Sequence, residues 1–243
     1  GVSPTSDAHT VQKQLGYLPE NLPVYPQMMV ADYLDYVATL KGISASQRMA
    51  AVREVLLATD LPERALDPIH VLSRGMRQRV VIALALCAEP RLIVADEPTT
   101  ALDVSIQAQI IALLKSLARE KGTAMMLVTH DMGVIAETAD RVAVMYAGRI
   151  AEIGPVRNVV KQASHPYTVG LMGSIPPLDR RVERLAQIDG AMPRLSAIPK
   201  GCAYNPRCPK AFARCTEDRP DLLPAGATQA ACWLYAGEGK TNG

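Results

Sequence analysis

Three side chains suited to acid–base and metal chemistry follow two short apolar segments. Asp96 and Glu97 come directly after Leu92–Ala95, and His130 lies just after Ala124–Val128. In parallel α/β sheets the carboxyl ends of the strands share one edge, where chemistry collects. Asp96 is then placed to hold Mg²⁺, Glu97 to polarise a water as a general base, and His130 to contact a transferring phosphate. An acid pair after a strand also serves as a plain helix cap, so this pair alone leaves both interpretations open.

The segments around these residues predict a parallel layer. Asp103 precedes a helical pattern over Val104–Lys121, and a further short helix is predicted over Met132–Thr138. Two strand patterns, Arg141–Tyr146 and Arg149–Ile153, flank a two-residue turn and predict a hairpin. Strand, helix and strand with short connections indicate an α/β layer.

The segments before this layer predict mainly helices. Apolar spacing predicts helices over Val30–Lys41, Gln47–Thr59 and Arg77–Ala88. Residues 14–26 are rich in proline and turn formers, so we expect a loop there. Residues 61–71 are expected to be irregular.

Composition limits the function classes. A chain of 243 residues suffices for one large domain or two small ones. The formal net charge of +2 gives no support for a nucleic-acid partner. The longest apolar run, Val80–Ala88, is shorter than the ~20 residues that a membrane-spanning helix needs. The polar stretch Gly1–Lys13 shows no signal peptide, and the initial Gly leads us to expect a longer reading frame.

Three strings together resemble the ABC ATPases. Leu72–Gln78 (LSRGMRQ) resembles the signature motif, residues 92–103 (LIVADEPTTALD) the Walker B motif and D-loop, and residues 127–131 (LVTHD) the switch-histidine motif. Their order and spacing also match. The resemblance implies an α/β fold, a partial ABC-type nucleotide-binding domain with a parallel sheet core and a helical subdomain. ATP and Mg²⁺ are the implied cofactors, and ATP hydrolysis coupled to transport is the implied activity.

The same resemblance implies a dimer of ATPase subunits, homomeric or heteromeric, that sandwich ATP. Ser73 and the backbone N–H of Gly75 would grip the γ-phosphate bound by the partner, at a helix N-terminus that favours anions. Gln78 belongs to the same nucleotide-contacting motif, and Asp103 would communicate across the dimer. Arg74 departs from the commonest family pattern, which has Gly there.

The N-terminal third departs further from the importer pattern. The string LGYLPENLPVYP occupies the place of the Q-loop, and its GYLPE form resembles exporters of the drug and antibiotic type. Glu20 stands where most members have Gln, at the point that couples the ATP site to the membrane subunits.

No Gly-x-x-x-x-Gly-Lys-Ser/Thr string occurs in this sequence. In the family this Walker A loop cradles the phosphates and precedes the Q-loop, so we expect it upstream of Gly1. Each charge-assisted hydrogen bond to phosphate contributes roughly 1.5–3 kcal/mol. We therefore expect this chain alone not to bind ATP tightly.

The C-terminal segment resembles oligopeptide and dipeptide importers. The strings that carry this resemblance are HPYT from His165, GLMGSIPPL from Gly170 and GCAYNPRCPKAFARC from Gly201. We therefore assign residues 1–154 to an ATPase domain lacking its Walker A part, with the helical subdomain at about 28–90. Residues 155–243 are assigned to a loop-rich C-terminal extension rich in cysteine. The resemblance makes peptide the expected cargo and nickel the alternative.

Four cysteines cluster in this segment: Cys202, Cys208, Cys215 and Cys232. Four thiolates in a cytosolic chain favour a metal site over disulfides. The close pairs typical of structural zinc sites are absent, and the pattern resembles family members with a [4Fe–4S] cluster. Zinc, and thiols that merely pack a small module, remain alternatives.

The resulting expectation is an ATP-hydrolysing subunit that energises peptide import. Its partners would be a second ATPase subunit, transmembrane permease subunits and, indirectly, an extracytoplasmic peptide-binding protein, with no nucleic acid. It would lie peripherally on the cytoplasmic face of the bacterial inner membrane. The alternatives are a non-hydrolysing subunit that completes a composite ATP site, and a subunit of an exporter or nickel importer.

Overall fold

The computed structural model describes residues 5–21, 24–175 and 187–237. The chain divides into two compact units, Gly1–Val134 and Ile135–Gly243. Each unit contains its own sheet. The predicted assignment of residues 1–154 to an ATPase domain, and of 155–243 to an extension, remains a prediction.

The first unit is built on a parallel sheet. Its strands β1 (Leu15–Leu18), β2 (Leu92–Asp96) and β3 (Ala124–Val128) lie in that order. Asp96 pairs with Val128, so β2 and β3 end at the same level. The predicted α/β class, with its parallel layer, is confirmed.

In residues 5–21 and 24–91, four α-helices precede β2: α1 (Ala8–Lys13), α2 (Val30–Leu40), α3 (Ala45–Ala58) and α4 (Arg74–Leu86). The last three share one apolar core with Leu18, Ile93 and Ala95 of the sheet, and the helical subdomain at about 28–90 remains a prediction. Two short 3₁₀ turns, Pro62–Arg64 and Ile69–Val71, occupy the stretch expected to be irregular.

Helix α4 begins three residues earlier than its apolar spacing predicts. Ser73 caps the helix, because its hydroxyl accepts a hydrogen bond from the N–H of Met76 at 3.3 Å. The polar first turn carries no apolar periodicity, so the pattern alone placed the start at Arg77.

The predicted loop over residues 14–26 is wrong for Leu15–Leu18, which form β1. A Cβ atom on Gly16 would lie 2.7 Å from the carbonyl oxygen of Ala85 in α4, so the absent side chain allows this close packing. Pairing with β2 and burial of Leu18 outweigh the local turn composition. Residues 22 and 23 of the expected loop lie outside the described residues.

Helix α5 (Val104–Lys121) joins β2 to β3 as predicted. The carboxylate of Asp103 accepts a hydrogen bond from the N–H of Ile106 at 2.9 Å and caps the helix. Gly122 ends it in the left-handed region, with a φ of +62°.

The two faces of the sheet differ. One face carries buried Leu18, Ile93 and Ala95 and packs into the core. On the opposite face, Tyr17 and Met126 are each 52% exposed. Parallel sheets are normally covered on both faces, so this second face is unusually open for its class.

The second unit holds an antiparallel sheet in the order β4-β5-β7-β6. Its strands are β4 (Arg141–Tyr146), β5 (Arg149–Pro155), β6 (Leu223–Ala225) and β7 (Thr228–Ala230). Ala147 and Gly148 have φ values of +49° and +77°, which confirms the predicted two-residue hairpin. The described residues after β3 also form four α-helices and three short 3₁₀ turns. The α-helices are α6 (Met132–Thr138), which contains the boundary between the units, α7 (Val156–Lys161), α8 (Pro166–Gly173) and α9 (Ala213–Glu217), and the turns are Leu195–Ala197, Asn205–Arg207 and Trp233–Tyr235.

A buried carboxylate organises the second unit. Glu152 on β5 is 0% exposed and accepts hydrogen bonds from the backbone N–H groups of Ser164 and His165, each at 2.9 Å. It also accepts one from the hydroxyl of Thr228 at 3.0 Å. These bonds tie β5 to β7 and to the start of α8. The sequence analysis did not predict β6 and β7, because the contacts that hold them to β5 join residues far apart in the chain, such as Glu152 and Thr228.

No helix in the described parts of the chain is long and apolar enough to span a bilayer.

Candidate active site

The carboxyl ends of β2 and β3 bring the predicted acid–base residues together. The N–H of Glu97 donates to the carbonyl of Val128 at 2.9 Å, which continues the strand pairing one residue past Asp96. Glu97 then adopts a φ of +48°, a left-handed conformation that is uncommon for a residue with a Cβ atom. The chain therefore turns sharply at Glu97, beside Thr129 and His130.

The carboxylate of Glu97 is held by four hydrogen bonds. One oxygen, Oε1, contacts the ring Nδ1 of His130 at 2.7 Å and accepts from the N–H of His130 at 3.1 Å. The other, Oε2, accepts from the hydroxyls of Thr100 at 3.1 Å and Thr129 at 3.5 Å. Glu97 and His130 thus form one pair, whereas the sequence analysis placed both at strand ends and gave them separate roles.

In the contact between Glu97 and His130, each group favours the charged form of the other. Burial raises the pKa of Glu97, but its hydrogen bonds with His130 and Thr100 outweigh burial and leave the pKa below its usual value. The hydrogen bond and the charge of Glu97 raise the pKa of His130, and Asp131 and Glu20 add smaller contributions. At a pH above the lowered pKa of Glu97 and below the raised pKa of His130, both groups are charged and their contact is an ion pair.

Asp96 fits a role as a magnesium ligand. Its carboxylate accepts one long hydrogen bond, from the hydroxyl of Tyr17 at 3.4 Å, and forms no shorter hydrogen bond or ion pair with another side chain among the described residues. A half-buried carboxylate with free oxygen lone pairs at a strand end suits a hard cation such as Mg²⁺. Glu20, predicted to act as the Q-loop residue, follows β1 on the same edge and is exposed.

The signature residues lie at the start of α4. Ser73 is the exposed cap of the helix. Gly75 packs against α5, because a Cβ atom there would lie 2.8 Å from Cγ2 of Ile106. Gln78 is only 6% exposed, and its Nε2 atom has no hydrogen-bond partner among the described residues. Ser73 and the first turn are therefore accessible from solvent, whereas Gln78 faces the core.

Several residues of the site were not predicted. Tyr17 was missed because β1 was read as loop. Thr100 and Thr129 were missed as partners of Glu97, although both stand within the strings that identified the family. Gln107 donates to the carboxylate of Asp131 at 2.7 Å, and Asp131 also accepts from the N–H groups of Gly133 and Val134, which fixes the segment after His130.

The four C-terminal cysteines line one small cavity in the second unit. All five cysteines of the chain are free thiols. A Cβ atom on Gly201 would lie 2.4 Å from the carbonyl oxygen of Cys215, so glycine is needed where the N–H of Cys202 bonds that carbonyl at 2.9 Å. Burial raises the pKa of Cys202, Cys208 and Cys232.

Nearby backbone groups partly offset the effect of burial. The backbones of Tyr204 and Asn205 lower the pKa of Cys202, that of Lys210 lowers the pKa of Cys208, and that of Leu234 lowers the pKa of Cys232.

Comparisons with known proteins define the class to which this fold and site belong. Residues 2–100 match the family "ABC transporter", and residues 151–215 match "Oligopeptide/dipeptide transporter, C-terminal region". The solved structure of cbiO1 from Clostridium perfringens, part of the ABC transporter complex cbiONQ, is similar with a TM-score of 0.58 and 26% identity. The matched region covers 62% of this chain and 61% of the cbiO1 chain.

Curated relatives narrow the class. The oligopeptide transport ATP-binding protein OppD of Haemophilus influenzae is 44% identical over 87% of this chain and 67% of its own length. AppD of Bacillus subtilis is 42% identical over 86% of this chain and 64% of its length. OppD of Salmonella typhimurium is 46% identical over 80% of this chain and 59% of its length. The chain belongs to the oligopeptide and dipeptide branch of the ABC transporter ATP-binding proteins, and it spans about 60% of the length of these relatives.

The ionic contact between Glu97 and His130 predicts a measurable titration shift. In Glu97→Gln the pKa of His130 falls from its raised value toward the ordinary 6.5, because the neighbouring negative charge is removed. Titration of the histidine ring resonances by NMR measures it. An unchanged pKa of His130 in the variant would contradict the contact.

Proposed function

We propose that this chain carries the hydrolytic and dimer-facing residues of an ATPase subunit that energises peptide transport across a bacterial inner membrane. The observation that supports it most is the Glu97 carboxylate, turned out of the sheet beside Asp96 and paired with His130.

Each residue at the strand ends has a proposed role. Asp96 would hold Mg²⁺, which supplies charge neutralisation on the phosphates when it is bound. Glu97 would orient and polarise the attacking water. Both of its oxygens are engaged in this structure, so a water must replace one bond, and the 3.5 Å contact with Thr129 is the longest of the four. His130 would contact the γ-phosphate with Nε2, because its side chain is 83% exposed.

The start of α4 supports the proposed dimer. Ser73 and the N–H of Gly75 would contact an ATP bound by the partner subunit, at the N-terminus of a 13-residue helix that favours an anion. Asp103, exposed at the cap of α5, would take part in communication between subunits. Gln78 would act indirectly by supporting the first turn of α4, because it is buried.

Nucleotide binding would need a phosphate-binding segment that this sequence does not contain. The open face of the sheet, with Tyr17 and Met126, is a suitable surface for a covering segment. The composite alternative, in which this chain completes the site of an intact partner, uses the same Ser73 and Gly75 and does not need Glu97.

Peptides are the proposed cargo because relatives matching most of this chain are named as oligopeptide, dipeptide or peptide transport proteins. Permease subunits and a second ATPase subunit are the proposed partners, with Glu20 at the coupling position. The subunit would then be peripheral, on the cytoplasmic face of the membrane. The exporter-like form of residues 15–26 is the observation that favours the export alternative.

Joining this chain at its N-terminus to the phosphate-loop segment of AppD from Bacillus subtilis should produce a MgATP hydrolase. Glu97→Gln in this chimera should retain ATP but slow turnover by roughly 10²–10⁴-fold, the range for loss of a general base. The matched control is Glu63→Gln, an exposed carboxylate in a 3₁₀ turn, which should leave turnover unchanged. Near-normal turnover in Glu97→Gln would remove Glu97 from this role.

We further propose a [4Fe–4S] cluster held by Cys202, Cys208, Cys215 and Cys232. All four thiols line one small cavity in the second unit. Four thiolates are the usual ligand set of a [4Fe–4S] cluster, whereas the close cysteine pairs typical of structural zinc sites are absent from the sequence.

Anaerobically purified protein should contain iron and acid-labile sulfide, and Cys208→Ser should lose both. Cys87→Ala is the matched control, since Cys87 is buried in the first unit and should leave the iron content unchanged. Zinc in place of iron would favour the zinc alternative. Iron that persists in Cys208→Ser would contradict the four-thiolate assignment.

A further inference from the structure

One arginine joins two parts of the first unit that the proposed function treats separately. The guanidinium of Arg74, the first residue of α4, donates a hydrogen bond to the carbonyl oxygen of Thr100 at 3.1 Å. Thr100 belongs to the loop 97–103, which starts at Glu97 and ends at the cap of α5. The bond therefore connects α4, which begins within the signature motif, to the loop that carries the proposed water-polarising carboxylate of Glu97.

This loop has a strained backbone. Glu97 and Ala101 both adopt left-handed conformations, with φ values of +48° and +58°. Residues with a Cβ atom stay in this region only where the surrounding structure holds them. The carbonyl that Arg74 binds belongs to the peptide unit immediately before Ala101, so the bond acts on one of the two strained points.

The contact continues from Thr100 to the carboxylate. The hydroxyl of Thr100 donates to Oε2 of Glu97 at 3.1 Å, and its N–H donates to the carbonyl of Glu97 at 3.1 Å. Any displacement of Thr100 therefore changes the position of the Glu97 side chain. Packing of Gly75 on Ile106 holds the other end of the loop 97–103, because Ile106 belongs to the first turn of α5, which Asp103 caps.

We propose that Arg74 is a positioning residue, which holds the loop 97–103 and, through Thr100, orients Glu97. The significance of this link rests on the proposed function: Ser73 and Gly75 would contact the partner's ATP, whereas Glu97 would act on the nucleotide of its own subunit. When α4 contacts the ATP of the partner subunit, Arg74 would transmit that contact to Glu97, which acts on the ATP of its own subunit. A Gly at position 74, the commonest choice in the family, has no side chain to make this bond.

Hydrogen exchange of the purified chain tests the link without any nucleotide. In Arg74→Ala, the amides of residues 97–103 should exchange about tenfold faster, as expected for the loss of one hydrogen bond, while the amides of α4 after its first turn stay protected. The matched control is Arg53→Ala, an exposed arginine on α3, which should leave the loop unchanged. Arg74 is itself exposed, so the substitution leaves the core intact.

A spectroscopic signal separates positioning from loose packing of the loop. At fixed pH, the ring resonances of His130, which contacts Glu97 at 2.7 Å, should shift in Arg74→Ala and return toward the parent position in Arg74→Lys. Unchanged exchange in 97–103, or an unmoved His130 signal, would overturn the proposal. Neither readout needs ATP turnover, so its failure is distinguishable from failure of the proposed hydrolysis.

Discussion

The parallel pairing of β2 with β3 is the constraint on which the site depends. Because Asp96 pairs with Val128, the two strands end level, and the residues that follow them meet at one edge of the sheet. Glu97 extends the pairing by one bond and then turns away. A shift of register between these strands would separate Glu97 from His130, and no local interaction of either residue could restore the contact.

The turn at Glu97 has a conformational cost that its surroundings offset. Left-handed backbone at a residue with a Cβ atom costs about 1–3 kcal/mol. Four hydrogen bonds to the carboxylate, and the contact of Thr100 with Arg74, hold the strained loop in one conformation. A rigid carboxylate suits hydrolysis, since a base that is already oriented needs little reorganisation when the reaction occurs. The site is thus a case in which local strain and functional placement coincide.

Much of the first unit could be predicted from sequence because its signals are local. Helix α5 was predicted with both ends, since Asp103 and Gly122 are local cap signals. Asp96, Glu97 and His130 were expected at one edge of the sheet because parallel strand ends share it, but the direct contact between Glu97 and His130 was not predicted. Strand β1 was missed because its stability comes from β2 and from the close approach of Ala85 to Gly16, contacts that are distant in sequence. The contact of Arg74 was missed for the same reason: its partner, Thr100, lies 26 residues away.

The purified chain's own MgATP turnover, compared with that of its Glu97→Gln variant, tests the central claim most directly. The account holds that the strand-end residues are in place but that tight phosphate binding requires a segment absent from this sequence. It therefore predicts no turnover above the Glu97→Gln background. Turnover that Glu97→Gln abolishes would contradict this account, because another part of the chain would then have to bind the phosphates.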